Sequence, residues 1–314
     1  MKKILAKVKF REYGVVIGFL LLCTAISIAT PTFLSQKNLL NLLRQSSIIG
    51  IISAGMTFVI ISGNFDISVG AIAALSGAIV MKLTTGGTNI FVSILIALVV
   101  CGVIGCINGV AVSKINIPSL IATMAMVSVV KGSMLMFTGG YPITEEIPVL
   151  DFIGNDYLLG VPIPVIIFAV VVLIAYVVLS RTRFGRHVYS VGGNRLASKL
   201  NGIHVDSCII KVFVINAVLA AVAGIVLIGR MGTASPSAGD GYDMDAIASV
   251  VIGGASVSGG AGSPLKTVIG VLMMSVINNS FNLLGIDMYF QYIFKGLIIL
   301  IAVGIDAYSK KKLA

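Results

Sequence analysis

The chain has 314 residues, of which 57% are hydrophobic and only 11% charged, with a formal net charge of +10. A soluble domain carries about 25% charged residues, so this composition excludes a water-soluble globule. Apolar runs of about 20 residues, rather than alternating segments of about 10, exclude a transmembrane barrel and make the fold class all-α, a polytopic helical membrane protein.

In chain order, apolar segments fall near 14–34, 45–63, 67–85, 90–113, 118–138, 162–180, 207–230, 244–256, 264–284 and 289–307. The sequence therefore predicts about ten transmembrane segments, one or two of them broken or re-entrant. Only Asn64-Phe65-Asp66 separates the second from the third. The 244–256 segment is too short to cross about 30 Å as a straight helix. The first 30 residues have a basic start, an apolar core and then Ser27-Ile28-Ala29. With so many spans following, they read as an uncleaved signal anchor. The 35 glycines suit close-packed membrane helices. Trp is absent, so an interfacial belt falls to the nine tyrosines. Cys23, Cys101, Cys106 and Cys208 lie in or beside apolar runs without metal spacing and read as small core residues.

The positive charge is grouped. Lys2, Lys3, Lys7, Lys9 and Arg11 precede the first segment; Arg181, Arg183, Arg186, Arg195, Lys199 and Lys211 crowd one island; Lys310, Lys311 and Lys312 close the chain. This is the positive-inside pattern, not a nucleic-acid surface. It predicts cytoplasmic N- and C-termini and outward segments at 139–162 and 231–245. The first carries Glu145, Glu146, Asp151 and Asp156, the second Asp240, Asp243 and Asp245, and neither has Lys or Arg. Lys37, Arg44 and Lys82 fit this scheme less well. The whole chain, 1–314, reads as a single transmembrane domain with a cytoplasmic loop at 181–206.

Four motifs stand out. Within the island, Asn194 is a good N-cap and Gly202 a good C′ residue, bracketing a helix over Arg195–Asn201. Leu196 and Leu200 share a face, and Gly192-Gly193 supplies a sharp turn into the helix. Two turns do not persist alone, so this is either a docking helix or an ordinary basic loop on anionic headgroups, with the caps favouring docking. Second, Asn64, Asp66 and Ser68 occupy the break between two apolar segments. A deep acid lines a polar path or is paired, yet Asp66 at an interface could equally cap the next helix. Third, the Gly-rich run from Ala238 to Ser263 has no Gly-Lys-Ser/Thr ending, no dinucleotide context and no EF-hand pattern; it reads as an outward loop, a short helix and tight turns. Fourth, Asn278, Asn279 and Asn282, with Gln291 and Tyr292, either bridge helices or line a path for a hydroxyl-rich solute.

Val59–Gly63 echoes Val250–Gly254, and Ile107–Gly109 echoes Ile277–Asn279, a faint suggestion of an internal repeat. His187 and His204 have no partner at metal or catalytic spacing, and no nucleophile–base set is present, so the chain is not read as an enzyme.

These residues carry a resemblance. Asn64–Gly70 resembles the Gly-Ile-Asp-Leu-Ser-Val-Gly of sugar permeases in ABC importers, with Asn64-Phe65 replacing Gly-Ile. Ile117–Thr123 with Lys131-Gly132, Thr182–Gly185 through Asn194 to Asn201–Ile203, and Gly241–Ala248 with Val251–Gly254 are similar to further stretches of that family, most of all its ribose permeases. In the third of these, Asp243-Met244 replaces Glu-Leu. The likeness covers nearly the whole chain but does not name the sugar, because permeases for several sugars and related solutes share the motifs. It implies the permease subunit of a monosaccharide ABC importer in the inner membrane of a bacterium. The implied partners are a second permease copy, a cytoplasmic ATPase of two nucleotide-binding halves that binds ATP and Mg2+ in place of this chain, and an extracytoplasmic sugar-binding protein. The island then becomes the ATPase-coupling segment, through Gly192, Gly193, Asn194, Leu196, Leu200 and Gly202. Asn64, Asp66, Ser68, Asn278, Asn279 and Asn282 become substrate-path candidates. The rival readings are a proton-coupled secondary transporter using Asp66, a passive channel and a membrane-embedded enzyme.

Overall fold

Between apolar helices in a bilayer there is little hydrophobic drive to associate, so small residues and hydrogen bonds decide which helices touch. The computed structural model describes residues 2–311, with side chains from 15 to 304 apart from Met288 and Ala302. Every apolar segment of the sequence contains a helix: α1 (Lys2–Ala29), α2 (Gln36–Ile61), α3 (Val69–Thr85), α4 (Ile90–Ser113) and α5 (Ser119–Thr138) lead the chain. There follow β1 (Ile143–Thr144), α6 (Pro148–Asn155), β2 (Tyr157–Leu158), β3 (Val161–Pro162) and α7 (Ile163–Arg181). Then come α8 (Arg183–Gly193), α9 (Arg195–Leu200), α10 (Val205–Met231), β4 (Thr233–Ala234), α11 (Tyr242–Ile252), α12 (Pro264–Leu283) and α13 (Met288–Lys311). Among the described residues, α2, α4, α5, α7 and α10 are long and apolar enough to cross a membrane by length and composition.

Helix α10 is the axis of the body and touches α2, α3, α4 and α6. Gly105 and Gly109 of α4 are four apart and face it. A Cβ at Gly105 would come 2.6 Å from the Phe213 carbonyl oxygen, and one at Gly109 would come 2.6 Å from Ile210 Cα. On α10 itself, Gly224 lies against the Ala73 carbonyl of α3, where a Cβ would overlap it. The opposite face of α4 is bare: Phe91, Leu95, Val99, Val103 and Ile107 repeat every four residues and are exposed. That spacing is one stripe of a helix turned towards lipid.

The bundle has two distinct ends. At one, β1 pairs antiparallel with β4, β2 with β3, and α6 packs under them against α10. The two-residue β2–β3 turn is Leu159-Gly160, with φ of +53° and +79°, the left-handed pair that a tight hairpin requires. At the other end, α8 and α9 form the island between α7 and α10. The three cations that strained the charge pattern include two explained here. Arg44 donates to the Asn155 carbonyl and lies 4.7 Å from the centre of the Tyr157 ring; Lys82 donates to the Phe137 carbonyl and lies 4.5 Å from that residue's ring centre. Carbonyl dipoles and ring faces hold these charges at the end bearing α6.

Some expectations hold and others are corrected. The segment 139–162, expected only to face outward, is ordered by α6 and three strands. The segment 231–245 does not stand off the body: Gly239 packs against the Gly70 backbone and Asp245 is buried. Helix α11 has eleven residues, about 16 Å of rise, and is a half-helix followed by tight turns. The island holds two helices, α8 and α9, where one was expected. Gly192 and Gly193 are the last residues of α8 rather than a sharp turn; the direction changes at Asn194, whose φ is −160°. In the suggested repeat, Val59–Gly63 and Val250–Gly254 are both C-terminal helix ends finishing on a glycine with positive φ, +78° at Gly63 and +88° at Gly254. The four cysteines are free thiols, with Cys101 and Cys208 buried.

Replacing Gly224 by Val forces α3 and α10 apart and is expected to cost about 1–3 kcal/mol or more, as overpacking does. Gly132→Ala is the control, since nothing lies within 4 Å of a Cβ there. Thermal unfolding of the two purified variants in detergent, followed by loss of monodispersity, should show a lowered midpoint for the first alone.

Candidate functional site

The island is built from its caps inward. Thr182 opens α8, its hydroxyl accepting from the Gly185 amide at 3.1 Å. Gly185, Val188 and Val191 are the buried face of that helix. Asn194 ends α8 and starts α9, its side chain accepting from the Ala197 amide at 2.9 Å. Helix α9 closes with a Schellman pair: Ile203 N donates to the Ser198 carbonyl at 3.0 Å and Gly202 N to the Lys199 carbonyl at 3.1 Å, with Gly202 at φ +78°. The hydroxyls of Ser190 and Ser198, 2.8 Å apart, tie the two helices together. Ser198 is buried, whereas Leu196 and Leu200 are 69% and 80% exposed. A short helix capped at both ends and braced from behind thus presents an apolar pair that nothing among the described residues covers. Beside it, Lys114, Arg195, Lys199 and Lys211 rim a groove of about 1030 Å³ floored by Ile203, Ile209 and Ile210.

The break between α2 and α3 is a hub of hydrogen bonds inside the body. Asp66 is fully buried. One of its oxygens accepts from the Ser68 amide at 2.9 Å and the Ser68 hydroxyl at 2.5 Å; the other accepts from the Asn216 amide of α10 at 2.9 Å. Ser68 in turn accepts from Asn108 of α4 at 3.0 Å. The amides of Phe65 and Ile67 donate to the hydroxyls of Ser119 and Thr123 on α5, at 3.1 and 3.3 Å. Irregular backbone is tolerated at membrane depth only where protein satisfies it; hydroxyls of α5 do so here, while α4 and α10 meet the side chains of Ser68 and Asp66. Asn64, also buried, accepts from Arg195 of α9 at 2.7 Å.

The amides of α12 serve a similar purpose. Asn278 donates to Asp245 at 3.2 Å, and Lys295 of α13 pairs with the same carboxylate at 2.9 Å. Asn279 exchanges two bonds with Asn38 at the start of α2, at 2.8 and 3.0 Å. Asn282, exposed, accepts from Gln291 at 3.2 Å.

Of the six substrate-path candidates, Asn64, Asp66, Ser68, Asn278 and Asn279 are therefore buried and bonded to other groups of the chain, and only Asn282 is exposed. Most of their polar groups are engaged as bridges in this conformation, the exception among the five buried residues being Asn278 Oδ1, a buried acceptor with no partner among the described residues. Asp66 is neither an interfacial cap nor an accessible acid. The six coupling candidates do come together in one island, yet Gly193 has open space beyond its Cα while Gly192 packs on the Ile61 carbonyl. Sequence reading missed Asn108, Asn216, Ser119 and Thr123 as partners of the break. For Asn216 a signal existed, an isolated amide in the middle of an apolar segment.

With Asp66 carrying two donors on one oxygen and one on the other, Asp66→Ala leaves the Asn216 side-chain amide and the Ser68 N–H and O–H buried without their acceptor, at about 1–3 kcal/mol. We expect reduced folded yield and thermal stability, with Asp66→Asn milder. Were Asp66 a proton carrier instead, Asp66→Asn would fold normally and abolish the pH dependence of uptake.

A family model described as "Branched-chain amino acid transport system / permease component" matches residues 38–303. The chain is 40% identical to the ribose import permease protein of Haemophilus influenzae, over 94% of this chain and 93% of that one. It is 41% identical to the ribose import permease protein of Bacillus subtilis, over 94% and 92%. It is 34% identical to the xylose transport system permease protein of Haemophilus influenzae, over 98% and 99%. No solved structure matches.

Proposed function

The chain belongs to the permease-component family matched over residues 38–303, and from that premise we propose how its island and its buried hub move a sugar. It is the multi-pass permease subunit of a bacterial inner-membrane sugar importer of the ABC type, a transport subunit that works with an ATPase and a binding protein. The ribose and xylose relatives support a monosaccharide, a ribose-like pentose or a related sugar, as the solute. The finer picture is ten passages with both termini in the cytoplasm, one domain over 1–314, and 181–206 as its coupling loop. The functional unit is two copies of the chain on one ATPase of two nucleotide-binding halves, which holds the ATP and Mg2+. The sugar-binding protein delivers to the end that carries α6.

The observation that carries this reading is α9. A six-residue helix does not persist on its own propensity; here two caps and the Ser190–Ser198 contact preform it and leave Leu196 and Leu200 exposed. Preformed apolar knobs on a polar surface lower the ordering cost of docking. ATP-driven closure of the ATPase would then push α9 and swing the two permeases between outward- and inward-open forms. A neutral sugar needs weak hydrogen-bonding contacts and no charge clamp, which fits the absence of a free acid or base among the path candidates in the described residues. The proton-coupled alternative is disfavoured by the commitment of both Asp66 oxygens.

The test is to place Asp at Gly193 or at Leu200. Neither position has a steric neighbour to offend, because Gly193 faces open space and Leu200 is exposed. Each variant should insert and fold normally, lose co-purification of the ATPase, and reduce ATP-dependent uptake in vesicles at least tenfold, about 1.4 kcal/mol or more of lost docking. Wild-type uptake in both variants would remove α9 from the coupling role.

A further inference from the structure

Three chain segments meet at the inner side of the island with no side chain between their backbones. The last carbonyl of α2, on Ile61, accepts from the Gly260 amide at 2.8 Å. A Cβ on Gly192, at the end of α8, would overlap that same carbonyl oxygen and lie 2.8 Å from Gly260 N. A Cβ on Gly259 would lie 2.7 Å from the Gly192 carbonyl oxygen and 2.8 Å from Gly63 Cα. Tyr189, one helical turn before Gly192–Gly193, donates its hydroxyl to the Gly262 carbonyl at 2.8 Å, and burial pushes its phenol up, keeping it a neutral donor. The island, the α2–α3 break and the turns after α11 are thus one junction.

Besides the Ser198 contact with α8, a side chain of α9 reaches the α2–α3 break itself. Arg195 is the first residue of that helix, and its guanidinium donates to Asn64 Oδ1 at 2.7 Å. Asn64 is 3% exposed, and its amide nitrogen is already occupied by Ser62 at 2.9 Å. Among the described residues Arg195 is the donor that satisfies this buried oxygen, so breaking the bond leaves a buried acceptor unmet. Two residues further on, Asp66 reaches α10 through Asn216 and α4 through Ser68 and Asn108.

We infer that Arg195 is a positioning residue that latches the docking helix α9 to the α2–α3 break, so that a displacement of α9 reaches α4 and α10 through Asn64 and the Asp66 hub. The inference rests on the reading of α9 as the ATPase-docking helix and adds the route by which docking moves the transmembrane body. Backbone-to-backbone contact at Gly192, Gly259 and Gly63 leaves no rotamer to absorb a push, and the Ser190–Ser198 contact makes α8 and α9 move together. A chain of contacts is by itself only a proposal of coupling; a measured interaction between its two members is the physical warrant.

The experiment uses the complete importer, permease co-expressed with its ATPase and reconstituted in proteoliposomes with the binding protein. The variants are Arg195→Ala, Arg195→Lys, Asn64→Ala and the Arg195→Ala/Asn64→Ala pair. ATPase retention, ATP hydrolysis and sugar moved per ATP are read for each. The latch predicts full ATPase retention and continued hydrolysis in every variant, with sugar per ATP falling roughly five- to tenfold in each alanine variant. The double variant should be no worse than either single one, because both remove the same bond. Arg195→Lys, which keeps a donor for Asn64 at an exposed position, should recover most of the loss and guards against a mere folding defect. Loss of the ATPase in Arg195→Ala would make Arg195 a docking residue and overturn the latch, as would unchanged sugar per ATP or losses that multiply in the double variant. Should Leu200→Asp keep the ATPase and full uptake, the docking reading fails first, an outcome distinct from failure of the latch alone.

Discussion

The constraint on which the rest depends is that polar groups inside this apolar body must find partners within it. Asp66 meets it by drawing in Ser68 and, through the side-chain amide of Asn216, helix α10, while Ser68 takes Asn108 from α4. The cost of an unmet carboxylate there is large enough that the break between α2 and α3 occurs where neighbouring groups can serve it. The amides of Phe65 and Ile67, freed by the break, take hydroxyls from α5. A discontinuity that would be a defect in an isolated helix becomes the point at which α2, α3, α4, α5 and α10 are referenced to one another.

Packing and polarity divide the labour. Gly105 and Gly109 on α4 and Gly224 and Gly229 on α10 set the distances between helices, since each stands where a methyl group would strike a neighbour's backbone. Hydrogen bonds set the register: Asp66 with Asn216, Asn278 with Asp245, Asn279 with Asn38. Neither device holds helices as tightly as a soluble core would, because lipid competes for apolar surface without penalty. Such a body suits a transporter, whose helices must shift between two packings of similar free energy. The island differs in kind. Its helices are short and preformed by caps, and α9 leaves Leu196 and Leu200 exposed among the described residues.

The charge pattern illustrates how local chemistry modifies a global rule. Basic residues gather at one end of the bundle, yet Arg44 and Lys82 sit towards the end bearing α6. Each is held by a backbone carbonyl and an aromatic ring in place of an acid. Conversely, Asp245 was expected to face outward with its neighbours Asp240 and Asp243, and it is buried because Lys295 of α13 and Asn278 of α12 are there to meet it.

Much was legible in the sequence because it depends on local or compositional physics. Low charge and runs of about 20 apolar residues fix a helical membrane protein, and each of those segments contains a helix. Asn194 and Gly202 announce α9 because capping is chemistry between residues a turn apart. What the tertiary structure decided is everything that needs two distant segments at once. An Asn in a membrane helix can bridge or can face a path, and its sequence neighbours do not say which. Only the placement of Asn38 opposite Asn279, and of Asp245 opposite Asn278, makes them bridges. Asp66 could be read as a cap or an accessible acid until Asn216, 150 residues away, arrived to hold it. Gly192-Gly193 looked like a turn because glycine permits one, whereas its place in the fold is set by the Ile61 carbonyl beside it, a contact no local rule contains.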